Sequence, residues 1–124
     1  METKHTPRIP GPDHPITIER ALARVIVRAG THIIADTREA LTMLECDYEP
    51  VHYIPLDDVN VGLLERTDHS SYCPYKGDCS YYSLVIDDSR KDNVVWTYEQ
   101  PYDAVAKIKG HVAFYPDQVT IEIA

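Results

Sequence analysis

Two cysteines, Cys73 and Cys79, flank Pro74-Tyr75-Lys76-Gly77 in the stretch SSYCPYKGDCSYYS, residues 70–83, and tyrosines crowd both sides of it. A thiol, an ammonium and several phenols in so short a run allow several chemistries. Cys73, Cys79 and His69 could meet at one hairpin and hold zinc. Structural zinc sites, however, favour cysteines two to four positions apart with a second pair elsewhere. Here five residues separate the two, and Cys46 has no near partner, so no metal is expected. A reactive thiolate would need a positive neighbour, and Lys76 and His69 are the nearest to Cys73. If the hairpin is centred near Lys76, Cys73 and Cys79 lie roughly opposite each other, and a reversible disulfide between them is geometrically open. The plainest reading is a well-made turn. Pro74 presets φ, Gly77 relieves the bend, and Lys76 sits in water. On the turn alone, that reading ranks first.

Asp57 and Asp58 form a second candidate constellation, as acid and base or as metal ligands. Neighbours in sequence often point apart, and both are good helix caps, which is the commoner job. His32, His52 and His111 fall in or beside strand patterns and read as structural. Trp96 and Phe114 read as core. The chain has no dinucleotide or mononucleotide glycine loop, no nucleophile elbow and no His-Glu-x-x-His run, so no cofactor is expected.

The elements that must position these groups read mostly as strands. A chain of 124 residues makes one domain with a core large enough to need no staples. Apolar residues reach 44%, which argues against disorder. The net charge of −8, with Lys and Arg scattered, repels phosphate backbones and sets nucleic acid aside as a partner. No apolar run approaches a membrane span, and METKHTPRIPGPDHP lacks the apolar middle of a secretion signal. An odd count of three cysteines suits a reducing compartment. A cytoplasmic protein without membrane partners is the expectation.

Residues 1–15 carry four prolines and no periodicity. They read as a flexible tail in which His5 and His14 are solvated, leaving 16–124 as a single β domain. ITIE alternates polar and apolar. ARVIVRAGTHIIADT reads as two strands joined at Ala29-Gly30-Thr31. REALTMLE does not decide between a helical turn and a strand. VHYIPL is a strand with Pro55 at an edge or end. DDVNVGLLERT opens on candidate caps and continues as a short helix packing Val61, Leu63 and Leu64. After the cysteine hairpin come SYYSLVI, a polar loop DDSRKDN and the strand VVWTYEQ. PYDAVAKIKG makes a short helix stopped by Gly110. HVAFYPDQVTIEIA reads as a closing hairpin turned at Pro116-Asp117. Seven or eight short strands, with no spacing for parallel crossovers, predict a mainly β antiparallel sandwich or partly open barrel with one or two short helices.

PVHYIPLDDV, YCPYKGDCSYY, VVWTYEQP and HVAFYPDQVTI, in this order and at these spacings, resemble family 427 of the domains of unknown function over nearly the whole chain after the tail. The resemblance implies a small antiparallel β fold, similar to the β-tent of zinc-binding relatives such as methionine sulfoxide reductases of the B type. Their paired zinc cysteines are missing here, so their metal does not carry over. The family motif usually has alanine where this chain has Cys79, and commonly tryptophan where it has Tyr82. A dithiol role is therefore not implied by the resemblance. The family is also labelled nucleotidyltransferase-like, but the phosphate-binding Gly-Ser turn that such chemistry needs is absent. No established activity is implied.

Matching motif positions are Tyr53, Pro55, Asp58, Cys73, Pro74, Tyr75, Lys76, Gly77, Ser80, Tyr81, Trp96 and Tyr98. Pro55, Pro74 and Gly77 set backbone. The polar remainder, Tyr53, Asp58, Cys73, Lys76 and Tyr81, would line a small-molecule pocket beside the turn if the sheet gathers them, with Tyr75 over its mouth. In that reading Lys76 contacts an anion or carbonyl, Asp58 is its partner or a general base, and Tyr53 and Tyr81 are hydrogen-bonding walls. Two other classes stand beside it. One is a non-catalytic module, a homodimer packed through Tyr and Trp faces. The other is a thiol redox protein using Cys73 and Cys79.

Overall fold

The computed structural model describes residues 6–124. Ten strands occur among them: β1 (Ile16–Arg20), β2 (Val25–Ala29), β3 (His32–Thr37), β4 (Leu41–Glu45), β5 (Val51–Pro55), β6 (Leu64–Cys73), β7 (Gly77–Ile86), β8 (Ser89–Thr97), β9 (His111–Phe114) and β10 (Thr120–Ile123). Seven form one antiparallel sheet in the order β1-β4-β5-β9-β8-β7-β6, and three form a second in the order β10-β2-β3. The expected mainly β antiparallel domain is what the chain adopts, as two sheets rather than a closed barrel.

Period two explains the layering. Ile54, Val112 and Phe114 of the large sheet face the small one and close a core with Val25, Val27, Ile34 and Val95. The residues between them, Tyr53 and Ala113, face the opposite way and join Met43, Cys79, Tyr81 and Tyr98 in a second cluster. That second face is covered by Val105 and Ile108, from a 3-10 segment at Asp103–Ile108 that ends before Gly110 at φ +78°. The large sheet is thus buried on both faces. Tyrosine dominates the second, where each ring packs and each hydroxyl still needs a partner.

Several local expectations are corrected. REALTMLE resolves as β4, paired on both sides by β1 and β5. DDVNVGLLERT forms two single-turn 3-10 helices, Leu56–Asp58 and Val61–Leu63, with no side-chain cap, and Val61 is exposed. The polar run SRKDN is the first half of β8, solvated because its partner strand continues past the cores. The closing segment is not a hairpin. β9 pairs with β5 and β8, while β10 leaves the large sheet after the turn at 116–118 and pairs with β2. Alternation fixes which face of a strand is apolar and says nothing of which strand lies beside it.

Candidate functional site

β6 and β7 run into the Cys73–Gly77 turn, which is clamped from three sides. Lys76 N–H donates to Cys73 O at 3.2 Å, closing the turn itself. Tyr102 N–H donates to Lys76 O at 3.0 Å, and Arg8 N–H donates to Pro74 O at 2.8 Å. Gly77 takes φ +108°, and a β-carbon there would lie 3.3 Å from Gln100 O. Only glycine meets both demands without strain. Backbone contacts therefore fix where Tyr75 and Lys76 stand.

The Lys76 ammonium does not sit in water. It pairs with the Glu45 carboxylate at the end of β4, and its Nζ lies 5.9 Å from the centre of the Tyr98 ring. The other carboxylate oxygen of Glu45 accepts from His14 Nε2 at 2.7 Å. The His14 ring in turn stacks on Tyr75, with centroids 3.8 Å apart and planes 3° from parallel. Glu45 and Lys76 are each 12% exposed and His14 20%. Burial pushes the Glu45 acid up, but hydrogen bonds and charge from Lys76 and His14 outweigh it and hold the group below 4.5. The segment carrying His14 is tied in by a Gly11–His14 bridge and by Cys46 N–H donating to Pro15 O at 2.9 Å. The expectation of a solvated His14 is corrected by these contacts. His5 lies outside the described residues.

Arg8, Ile9, Gly11, Asp13, His14 and Tyr75 border a hollow of about 330 Å³ beside this cluster. The guanidinium of Arg8 has no ion-pair partner among the described residues.

The other sequence candidates fall in different places. Asp58 is not Lys76's partner: its carboxylate accepts from the buried Thr37 Oγ1 at 2.6 Å, and it borders a hollow with Arg24, Asp36, Arg38 and Glu39. Tyr53 is buried, and its oxygen accepts from Trp96 Nε1 at 3.2 Å. Burial pushes its phenol far up. Tyr81 is also buried. Its hydroxyl pairs with Ser71 at 2.8 Å, and burial pushes its phenol up to about 12. Both are packed core rather than pocket wall. Tyr75 and Lys76 belong to the cluster at the turn, and half-buried Cys73 packs against the tyrosine layer below it.

The cysteines do not face each other across the hairpin. Cys73 pairs with Gly77, and Cys79 pairs with Ser71, so the two stand on one face a register step apart. Diagonal neighbours are about 7–8 Å apart, beyond the reach of a disulfide. Cys79 is buried, and burial pushes its thiol up against the pull of hydrogen bonds from Tyr81, Ser71 and Tyr98. His69 is exposed and packs on the Tyr81 ring at 4.5 Å. Among the described residues no three His, Cys, Asp or Glu side chains gather as a metal site, and no helix is long and apolar enough to cross a membrane.

Three participants escape the sequence reading. Glu45 ends a segment whose pattern leaves helix or strand open, and Arg8 and His14 lie in a proline-rich run without periodicity. The alternation Leu41, Met43, Glu45 in β4 is the available signal: it aligns the carboxylate with the buried Met43.

A family model described as a domain of unknown function (DUF427) matches residues 17–124. No curated protein matches the chain.

Proposed function

The chain belongs to this family of unknown function, and we propose that it binds a small molecule bearing an acid group in the hollow beside the Cys73–Gly77 turn. Arg8 supplies the cation, His14 the hydrogen-bonding wall and Tyr75 the ring behind it. Lys76 and Glu45 are positioning residues. Lys76 fixes Glu45, Glu45 holds His14 Nε2–H, and the second ring nitrogen of His14 remains for the ligand.

The observation that carries this reading is the Lys76–Glu45–His14 chain itself. Shielding three ionisable groups costs desolvation that an apolar cluster would avoid, so such a chain is weak support for a purely stabilising role. Its outer member, His14, borders the hollow, and shielded ionisable groups beside a concavity are a recognised mark of a functional site. The thiol alternative has less support, since Cys79 is buried and out of register with Cys73.

A thermal-shift screen against small carboxylates and phosphate monoesters tests the proposal. Binding to the native state raises the melting temperature with ligand concentration. The expected result is a set of stabilising acids whose effect falls in Arg8→Ala and in His14→Ala. Stabilisers that act equally on both variants, or an empty screen, would overturn it.

A further inference from the structure

A further concavity shares none of its lining residues with the hollow beside the turn. Val51, Trp96, Phe114, Pro116, Ile121 and Ile123 line most of a cleft of about 460 Å³ between β5, β8 and β9 in the middle of the large sheet and β10. The chain reaches it by leaving the large sheet after β9 and pairing β10 with β2, so residues of both sheets border the cleft. Its volume falls within the range of about 300–1,000 Å³ typical of small-molecule pockets, with mostly apolar lining and a few polar groups.

The polar groups are few, and neither Lys nor Arg is among them. Trp96 spends its Nε1–H on Tyr53 and packs against the Tyr115 ring with centroids 4.6 Å apart, while its side chain still borders the cleft. His52 pairs through Nδ1 with Thr42 at 3.1 Å, and burial pushes its pKa below 6.5, so it adds no cation near neutral pH. Glu49 stands at the rim, exposed, and its carboxylate has no ion-pair partner among the described residues. No Lys or Arg borders the cleft, and the chain as a whole carries −8. An apolar cleft with one unpaired carboxylate at its rim and an indole in its wall complements a cation on an apolar body.

We propose that this cleft binds small hydrophobic amines, with the apolar body against Trp96, Phe114, Ile121 and Ile123 and the ammonium at Glu49. This site is separate from the hollow beside the turn and takes the opposite charge.

Trp96 is the chain's single tryptophan, so its fluorescence reports this cleft directly. Titrations with 4-phenylbutylamine, 4-phenylbutanol and 4-phenylbutyrate separate the charge from the apolar body. The expected order is amine over alcohol over carboxylate. The amine should lead the alcohol by about twofold to fivefold, the worth of an exposed ion pair. Glu49→Gln removes that lead and leaves the alcohol unchanged. Ile123→Ser, at a position 53% exposed, weakens all three. An amine that binds no better than the alcohol, a lead that survives Glu49→Gln, or no response of Trp96 to any of the three probes would overturn the proposal.

Discussion

Lys76 and Glu45, 31 positions apart in the chain, close on each other as an ion pair that leaves each side chain 12% exposed. The pair joins the tip of the β6–β7 hairpin to the end of β4, at opposite margins of the seven-stranded sheet's order. His14 completes it from the N-terminal segment. Three parts of the chain that are remote in sequence thus meet at one charged cluster, and its consequences can be measured.

Removing one partner leaves the other charge shielded and short of a counter-charge. Lys76→Met should lower stability by about 2 kcal/mol, below the ~3–5 kcal/mol of fully buried pairs because some exposure remains. In a double-mutant cycle with Glu45→Gln, the coupling should be about 1–2 kcal/mol. Urea denaturation of the four proteins reads it. Additive losses would show that the two residues act independently.

The cluster should also mark the acid limb of stability. The Glu45 acid is held below its ordinary 4.5 in the folded state. Its contribution is therefore present above that value and is lost as pH falls through the lower, folded pKa. Melting temperatures measured downward from pH 5 should fall more steeply for the native protein than for Glu45→Gln. Parallel profiles would rule out Glu45 as a source of the acid sensitivity.

Legibility from sequence divides along the same line as local and remote contacts. The strands, the β2–β3 turn at Gly30 and the β6–β7 hairpin were readable because alternation and turn residues act within a few positions. Partnerships were not. Asp58 and Glu45 were equally eligible to meet Lys76, and only the placement of β4 beside β1 and β5 decides for Glu45. Likewise Val119, Ile121 and Ile123 alternate as expected, yet the same pattern serves a hairpin with β9 or a crossing to β2. Tyr53 and Tyr81 were read as polar walls because phenols carry hydroxyls. Burial by Val105 and Ile108 from a distant segment turned them into core.

Gly77 tests the clamp on the turn. Its φ of +108° and the 3.3 Å approach of Gln100 O strain any β-carbon placed there. Gly77→Ala should cost about 1–3 kcal/mol and weaken the Tyr102 N–H to Lys76 O bond, visible as faster amide exchange at Tyr102. Unchanged exchange and stability would mean that the turn tolerates a side chain.

Thiol accessibility separates the three cysteines. Cys46 is exposed, Cys73 half-buried and Cys79 buried. A thiol-titrating reagent should modify Cys46 first, at a rate below that of a free cysteine, because local desolvation and the neighbouring Glu45 and Asp47 carboxylates push its thiol up. Cys79 should react only in denaturant. Rapid modification of Cys73 and Cys79 together in the folded protein would restore the redox reading.

The direct test of the binding site is a side-chain NMR titration of the 15N-labelled protein with small carboxylates and phosphate monoesters. A bound acid should shift the His14 ring nitrogens and the Arg8 Nε while leaving His52 in place, and Lys76→Met should weaken the binding without abolishing it. Acids that leave the His14 and Arg8 signals unmoved at saturating concentration would contradict a site at this turn.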